Sequence, residues 1–135
     1  MGKSKIIIVA MLALFTSCRQ SLYDVLTQND FGYWLNPHGM IIEYSKIDSR
    51  QRYLEEDCSY SFNGSLGDIW GVKFKIKKDT IFHYVEIKKD NFITMYDTLI
   101  VKSYSKDSII LTNGVILYNI PKRVINNRQK LLNKN

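Results

Sequence analysis

Few residues of this chain are placed to do chemistry. Its only histidines are His38, in the turn signal Asn36-Pro37-His38-Gly39, and His83, inside a strand-like run. Neither has a partner at the spacing of a metal site or of a nucleophile-base-acid arrangement, and His83 reads as a surface or pocket-lining strand residue. Gly64-Ser65-Leu66-Gly67 lacks the lysine and the strand-to-helix context of a phosphate loop. Glu55, Glu56 and Asp57 are contiguous and read as a solvated stretch, so no two carboxylates stand out as a pair for glycoside hydrolysis. Cys58 follows directly on those three, a setting that works against a thiolate nucleophile. No catalysis, metal or cofactor is expected.

The remaining candidates bind rather than react. Trp34, Tyr44, Trp70, Phe74, Tyr84, Tyr96 and Tyr118 recur about once per strand-like segment. In a small barrel such side chains either fill the core or line a ligand cavity, and these seven are the candidates for an apolar-ligand site. Tyrosine outnumbers phenylalanine nine to six, and a buried phenol needs a hydrogen-bond partner, which favours a pocket with a polar edge.

The elements that would position them follow from periodicity. Leu22, Val25 and Leu26 fall at helical spacing, so residues 19–28 read as a short amphipathic turn or helix leading into the domain as a lid or plug. Tyr33-Trp34-Leu35 and Met40 to Ile47 are strands joined by the Asn36-Pro37-His38-Gly39 turn, with Met40, Ile42 and Tyr44 on one face. Residues 48–57 show neither period and read as a strand end and exposed loop, whereas Tyr60 and Phe62 alternate with small polar residues as a strand. Trp70, Val72, Phe74 and Ile76 alternate with Gly71, Lys73, Lys75 and Lys77, a half-buried strand with a solvated lysine face. Thr80 to Lys88, Phe92 to Tyr96, Thr98 to Tyr104, Ser108 to Thr112 and Val115 to Ile120 complete the pattern, the last two joined at Asn113-Gly114, a pair favoured in type I′ turns. Eight or nine strands with short polar connections predict an all-β antiparallel up-and-down meander over residues 31–121, which hides its edges best by closing into a barrel.

The first eighteen residues are built for export. Lys3 and Lys5 precede an uncharged apolar run from Ile6 to Phe15, then Thr16, Ser17 and Cys18. Such a run rises only about 15 Å as a helix, roughly half of what a spanning helix must cover. Leu14-Phe15-Thr16-Ser17-Cys18 resembles the lipobox of bacterial lipoproteins, which implies cleavage after residue 17 and a lipid on Cys18 that tethers the chain to a membrane. Arg19 follows the cysteine with no acidic run behind it, which favours a periplasm-facing position at the outer membrane.

Charge fits the same division. The 19 basic and 13 acidic residues leave a net +6, yet Lys3 and Lys5 depart with the signal segment, and Lys122, Arg123, Arg128, Lys130 and Lys134 form a tail without acidic residues. Residues 18–121 are therefore close to neutral, and no nucleic-acid partner is expected. Val124, Ile125, Arg128, Leu131 and Leu132 fall near helical spacing, so the tail reads as a short basic amphipathic helix that packs on the barrel or touches anionic headgroups.

Trp34 early in the first strand, the hairpin after it, Trp70 opening a strand-rich half, and the closing runs Tyr96 to Val101 and Asp107 to Leu111 resemble the small lipocalin-like lipoproteins of Bacteroidota. The resemblance implies an eight-stranded lipid-anchored barrel that binds a small apolar ligand or a protein partner without catalysis. An immunity or inhibitor lipoprotein that neutralises a toxin or enzyme fits the same size, export and lack of catalytic groups.

Overall fold

The computed structural model describes residues 20–62, 71–87 and 92–134, so Cys18 and Trp70 lie outside the described residues. The chain forms helix α1 (Leu22–Thr27), strands β1 (Phe31–Leu35), β2 (Ile41–Ser45), β3 (Arg50–Leu54), β4 (Val72–Lys77), β5 (Thr80–Ile87), β6 (Phe92–Tyr104), β7 (Ser108–Leu111) and β8 (Ile116–Asn119), and helix α2 (Lys122–Leu132). All strand pairs are antiparallel between sequence neighbours, and β8 returns to β1, which closes the barrel. The expected all-β meander is thus present as eight strands, with every edge paired.

Alternation decides what the wall encloses. Trp34, Ile42, Tyr44, Phe74, Ile81, Val101, Ile109, Leu111 and Leu117 form one buried cluster with Leu22, Val25 and Leu26 of α1, so the helix plugs one end of the barrel. Ser21 caps α1 by accepting a bond from the Asp24 amide, and Gln28 ends it in the left-handed conformation at φ 48°. The plug sits tightly because β1 carries Gly32 beneath it: a Cβ there would lie 1.8 Å from the Leu26 carbonyl oxygen. The same oxygen accepts the indole N–H of Trp34 at 2.9 Å, which satisfies a carbonyl that the helix end would leave bare.

A second, outer core lies against α2. Ile125 is fully buried on Tyr33, Ile41, Leu54 and Cys58. Arg128 donates to the Glu56 carbonyl at 3.0 Å, Gln129 to that of Cys58 at 3.2 Å, and Lys122 pairs with Asp30. The basic tail therefore does pack on the barrel. Sandwiched between plug and tail helix, β2 is buried at all five positions.

The two ends differ. At the helix end lie α1 and the turns at residues 46–49, 78–79 and 105–107; at the hairpin end lie residues 36–39 and 112–115. In both hairpins a turn closed by an i+3 bond, Gly39 N–H to Asn36 and Gly114 N–H to Leu111, is followed by glycine at φ 81° and 87°. Asn113 has no positive φ, so the Asn113-Gly114 loop is a three-residue type I turn with a glycine bulge instead of the expected type I′ turn.

Three further expectations are corrected. Residues 50–54 are strand β3, hidden from periodicity because Gln51 takes an inward position beside Tyr44. Tyr60 makes only an isolated bridge to Leu54, and Phe62 is exposed. Phe92 to Tyr104 is one strand whose register shifts opposite His83 and Tyr84, where Tyr96 is the extra residue of a bulge.

Replacing Gly32 by alanine should therefore cost about 3 kcal/mol or more, because backbone must move to relieve the clash. Thermal or urea unfolding of the variant measures it, and an unchanged midpoint would show that α1 does not press on β1.

Candidate functional site

Inside the barrel the side chains form a column that runs from plug to solvent. Tyr23 of α1 stacks on Phe74 at 6.0 Å, Phe74 meets Tyr44 edge-on at 5.1 Å, and Tyr44 lies along His83 at 5.6 Å. Tyr44 Oη is 2.8 Å from His83 Nε2, and His83 Nδ1 makes a short contact with Asp97 Oδ1. His83 is thus an interior residue, 4% exposed, which corrects the surface alternative expected of it. Register explains the meeting: Tyr44 of β2 and Phe74 of β4 point inward, His83 is the direct partner of Phe74, and Asp97 the direct partner of His83.

Electrostatics order this chain of bonds. The hydrogen bond from His83 holds the Asp97 carboxyl below its ordinary value, against the opposing effect of partial burial. Burial raises the Tyr44 phenol well above its ordinary value, with smaller contributions from Tyr53 and Asp97. Tyr44 therefore stays a phenol, and with His83 in the Nδ1–H tautomer it donates to Nε2 while Nδ1–H donates to the Asp97 carboxylate. The arrangement has the parts of a proton relay. Its far end is sealed, because Tyr44 has no exposed surface on which a reacting molecule could land.

Asp97 is the open end, with half of its side chain exposed. Around it on the inward face lie Tyr53, the partner of Ile42, and Gln51, the partner of Tyr44 and Val72. Burial, Asp97 and Tyr96 raise the Tyr53 phenol, while the neighbouring Gln51 amide opposes them. Gln51 is 5% exposed, and its side-chain amide faces the Tyr53 hydroxyl.

The outer wall holds a separate polar cluster. Glu43 is fully buried beneath Arg52, whose Nη1 donates at 3.2 Å, and Tyr60, whose hydroxyl donates at 3.1 Å. Burial first, then Glu43, raises the Tyr33 phenol beside it. With the Glu43 carboxylate bonded on both oxygens, this cluster ties the residue 60 segment to the wall.

The seven aromatic candidates separate. Trp34, Tyr44 and Phe74 come together in the interior, each packed within the barrel core. Tyr84 lies on the outer face, 5.3 Å from the Lys75 ammonium, and Tyr96 and Tyr118 are about half exposed. Trp70 lies outside the described residues. The lysine face is solvated as expected, with Lys73 paired to Glu86 at 3.1 Å. At the hairpin end, Leu35, Pro37, Val115, Ile116 and Tyr118 line an open hollow of about 580 Å³. A groove of about 560 Å³ runs beside it between Met40, Glu56 and α2. Among the described residues no group of three metal-binding side chains occurs.

Two measurements follow from the relay. Tyr44→Phe leaves His83 Nε2 without its partner and should lower stability by about 1–3 kcal/mol in urea unfolding. Because the folded chain binds the Asp97 proton more weakly than the unfolded chain, the contribution of Asp97 is complete above the ordinary carboxylate value of 3.8 and is lost as pH falls through the lower folded value. Asp97→Asn should flatten the decline of stability in that acidic window, and an unaltered pH profile would contradict the pairing. Comparison with protein-family models, with curated proteins and with solved structures finds no match, so the geometry of the barrel carries the functional reading.

Proposed function

We propose that the protein is an exported lipoprotein, tethered through Cys18 to the bacterial outer membrane on its periplasmic side, whose barrel binds a partner protein at the hairpin end and catalyses no reaction. The observation that carries this reading is the polarity of the barrel. The described chain enters at Gln20, whose carbonyl accepts a bond from Tyr104 at 3.1 Å at the helix end. Only Arg19 separates Gln20 from the lipobox cysteine, so a lipid there holds the helix end against the bilayer. The hollow lined by Leu35, Pro37, Val115, Ile116 and Tyr118 then faces away from the membrane, where a periplasmic protein reaches it.

The packing inside favours a surface partner over an apolar cargo. Trp34, Tyr44, Phe74 and the three buried apolar residues of α1 occupy the volume that a lipocalin-like barrel would give to a ligand. An immunity or inhibitor role is the case in which the partner is a toxin or an enzyme.

Cell fractionation checks the anchor: Cys18→Ala should move the protein from the membrane to the soluble fraction, and a variant that stays membrane-bound would overturn the tether. Photo-cross-linkers placed at Asp79 and at His38 check the orientation in intact envelopes. Lipid adducts are expected from Asp79 and protein adducts from His38; lipid adducts from His38 alone would reverse the reading.

A further inference from the structure

The tail helix α2 carries more apolar surface than its seat on the barrel covers. Ile125 is fully buried, whereas Leu131 and Leu132 are 65% and 40% exposed. With about 100° between successive helical residues, Val124 and Leu131 form a second stripe beside that of Ile125 and Leu132, and the exposed Arg123 and Lys130 follow about 100° beyond it. The second stripe borders a groove. A hollow of about 560 Å³, with Leu35, Ile41, Ile120 and Val124 among its walls, shares Glu56 and Arg128 with another of about 420 Å³ walled by Leu131 and Leu132. The rim opposite the helix is acidic, formed by the exposed side chains of Glu55, Glu56 and Asp57.

We propose that this face binds a second copy of the same chain, the two α2 helices lying antiparallel about a two-fold axis with Val124 of each opposite Leu131 of the other. Charge selects this occupant. The groove has an acidic rim on one side and the basic crest of α2 on the other, so a foreign basic segment would meet Arg123 and Lys130, and an acidic one would meet residues 55–57. A copy of the same face satisfies both at once, its basic crest lying on the acidic rim of the first and its rim under the crest of the first, which is the self-complementarity a two-fold contact requires. Arg128, near the middle of the stripe, is held to its own barrel by the Glu56 carbonyl at 3.0 Å and so keeps groove and helix in fixed relation. The exposed leucines of each copy then close the apolar strip of the other. The inference goes beyond the partner-binding reading, and it depends neither on the lipid anchor nor on the residues 113–118 of the hairpin-end hollow, so it can fail without them and they without it.

The test is sedimentation equilibrium of the full chain in density-matched detergent at pH 7. The wild-type chain should show a reversible monomer–dimer equilibrium. Glu55→Lys with Glu56→Lys makes rim and crest both basic, and Arg123→Glu with Lys130→Glu makes both acidic; each doubly substituted chain should self-associate about tenfold or more weakly. An equimolar mixture of the two should recover a dimer containing one of each, because both contacts are then between opposite charges. Leu131→Asp should weaken the dimer by a similar factor, and urea midpoints close to wild type show that these exposed substitutions leave the barrel folded. A photo-cross-linker at Leu131 in intact envelopes should join two copies of this chain. A monomeric wild-type chain, charge variants that pair as well as wild type, a mixture that stays monomeric, or adducts only to lipid or to another protein would each overturn the proposal.

Discussion

A single carbonyl oxygen organises the molecule. The Leu26 oxygen is pinned between the bare backbone of Gly32 and the indole of Trp34, at a distance that no side chain other than hydrogen permits on β1. That contact sets α1 flat against the strand and drives Leu22, Val25 and Leu26 into the barrel. Once they are there, Tyr23 and Phe74 stack next, and Tyr44 and His83 must lie above them. The polar end of the column thus lies opposite the apolar end: with the plugged half filled, the Tyr44–His83–Asp97 bonds lie beyond it, where Asp97 reaches solvent. The barrel is filled from one end by its own N-terminal helix, and its interior is a packed core with a polar tip.

The same economy shapes the outside. A two-faced strand normally gives one face to water, but β2 is covered on both, by the interior and by the segment around residue 60 with α2. Burying Glu43 in that position is tolerable because both carboxylate oxygens are bonded and Arg52 supplies the countercharge. The tail helix contributes one fully buried side chain, Ile125, and turns two of its basic residues, Lys122 and Arg128, to partners on the barrel. Its attachment therefore depends as much on the carbonyls of Glu56 and Cys58 as on apolar area.

The sequence disclosed most of this architecture and little of its polar interior. Alternation in β4 and β5, turn residues at 36–39 and 112–115, and the 3.6-residue spacing of α1 and α2 all depend on neighbours along the chain, so a linear reading finds them. Strand β3 escaped because Gln51 and Arg52 place polar groups on both faces, and the reasons lie on other strands: Tyr44 beside one and Glu43 against the other. The His83–Asp97 pair escaped because fourteen residues of sequence and a bulge separate groups that become neighbours only when β5 and β6 are in register. The usable signal was parity: His83 stands in phase with Ile81 and Val85, both buried, and an imidazole in an apolar row needs partners on both nitrogens.

The seam between β1 and β8 bears on how the chain reaches this state. It is short, with Trp34 opposite Asn119 and Leu35 opposite Tyr118, and is reinforced where Tyr33 accepts bonds from the Ile120 amide and the Asn119 side chain. Every other strand pair joins sequence neighbours, so the sheet can grow from local hairpins in the order of synthesis. Closure alone unites residues some eighty-five positions apart, and the loop entropy of that step is met last. Until residues 116–119 arrive the chain is an open sheet with two sticky edges, one of them the strand that carries Gly32 and Trp34. The ring is thus the last thing the chain can make: seven strands can pair as they appear, but the barrel waits on the eighth.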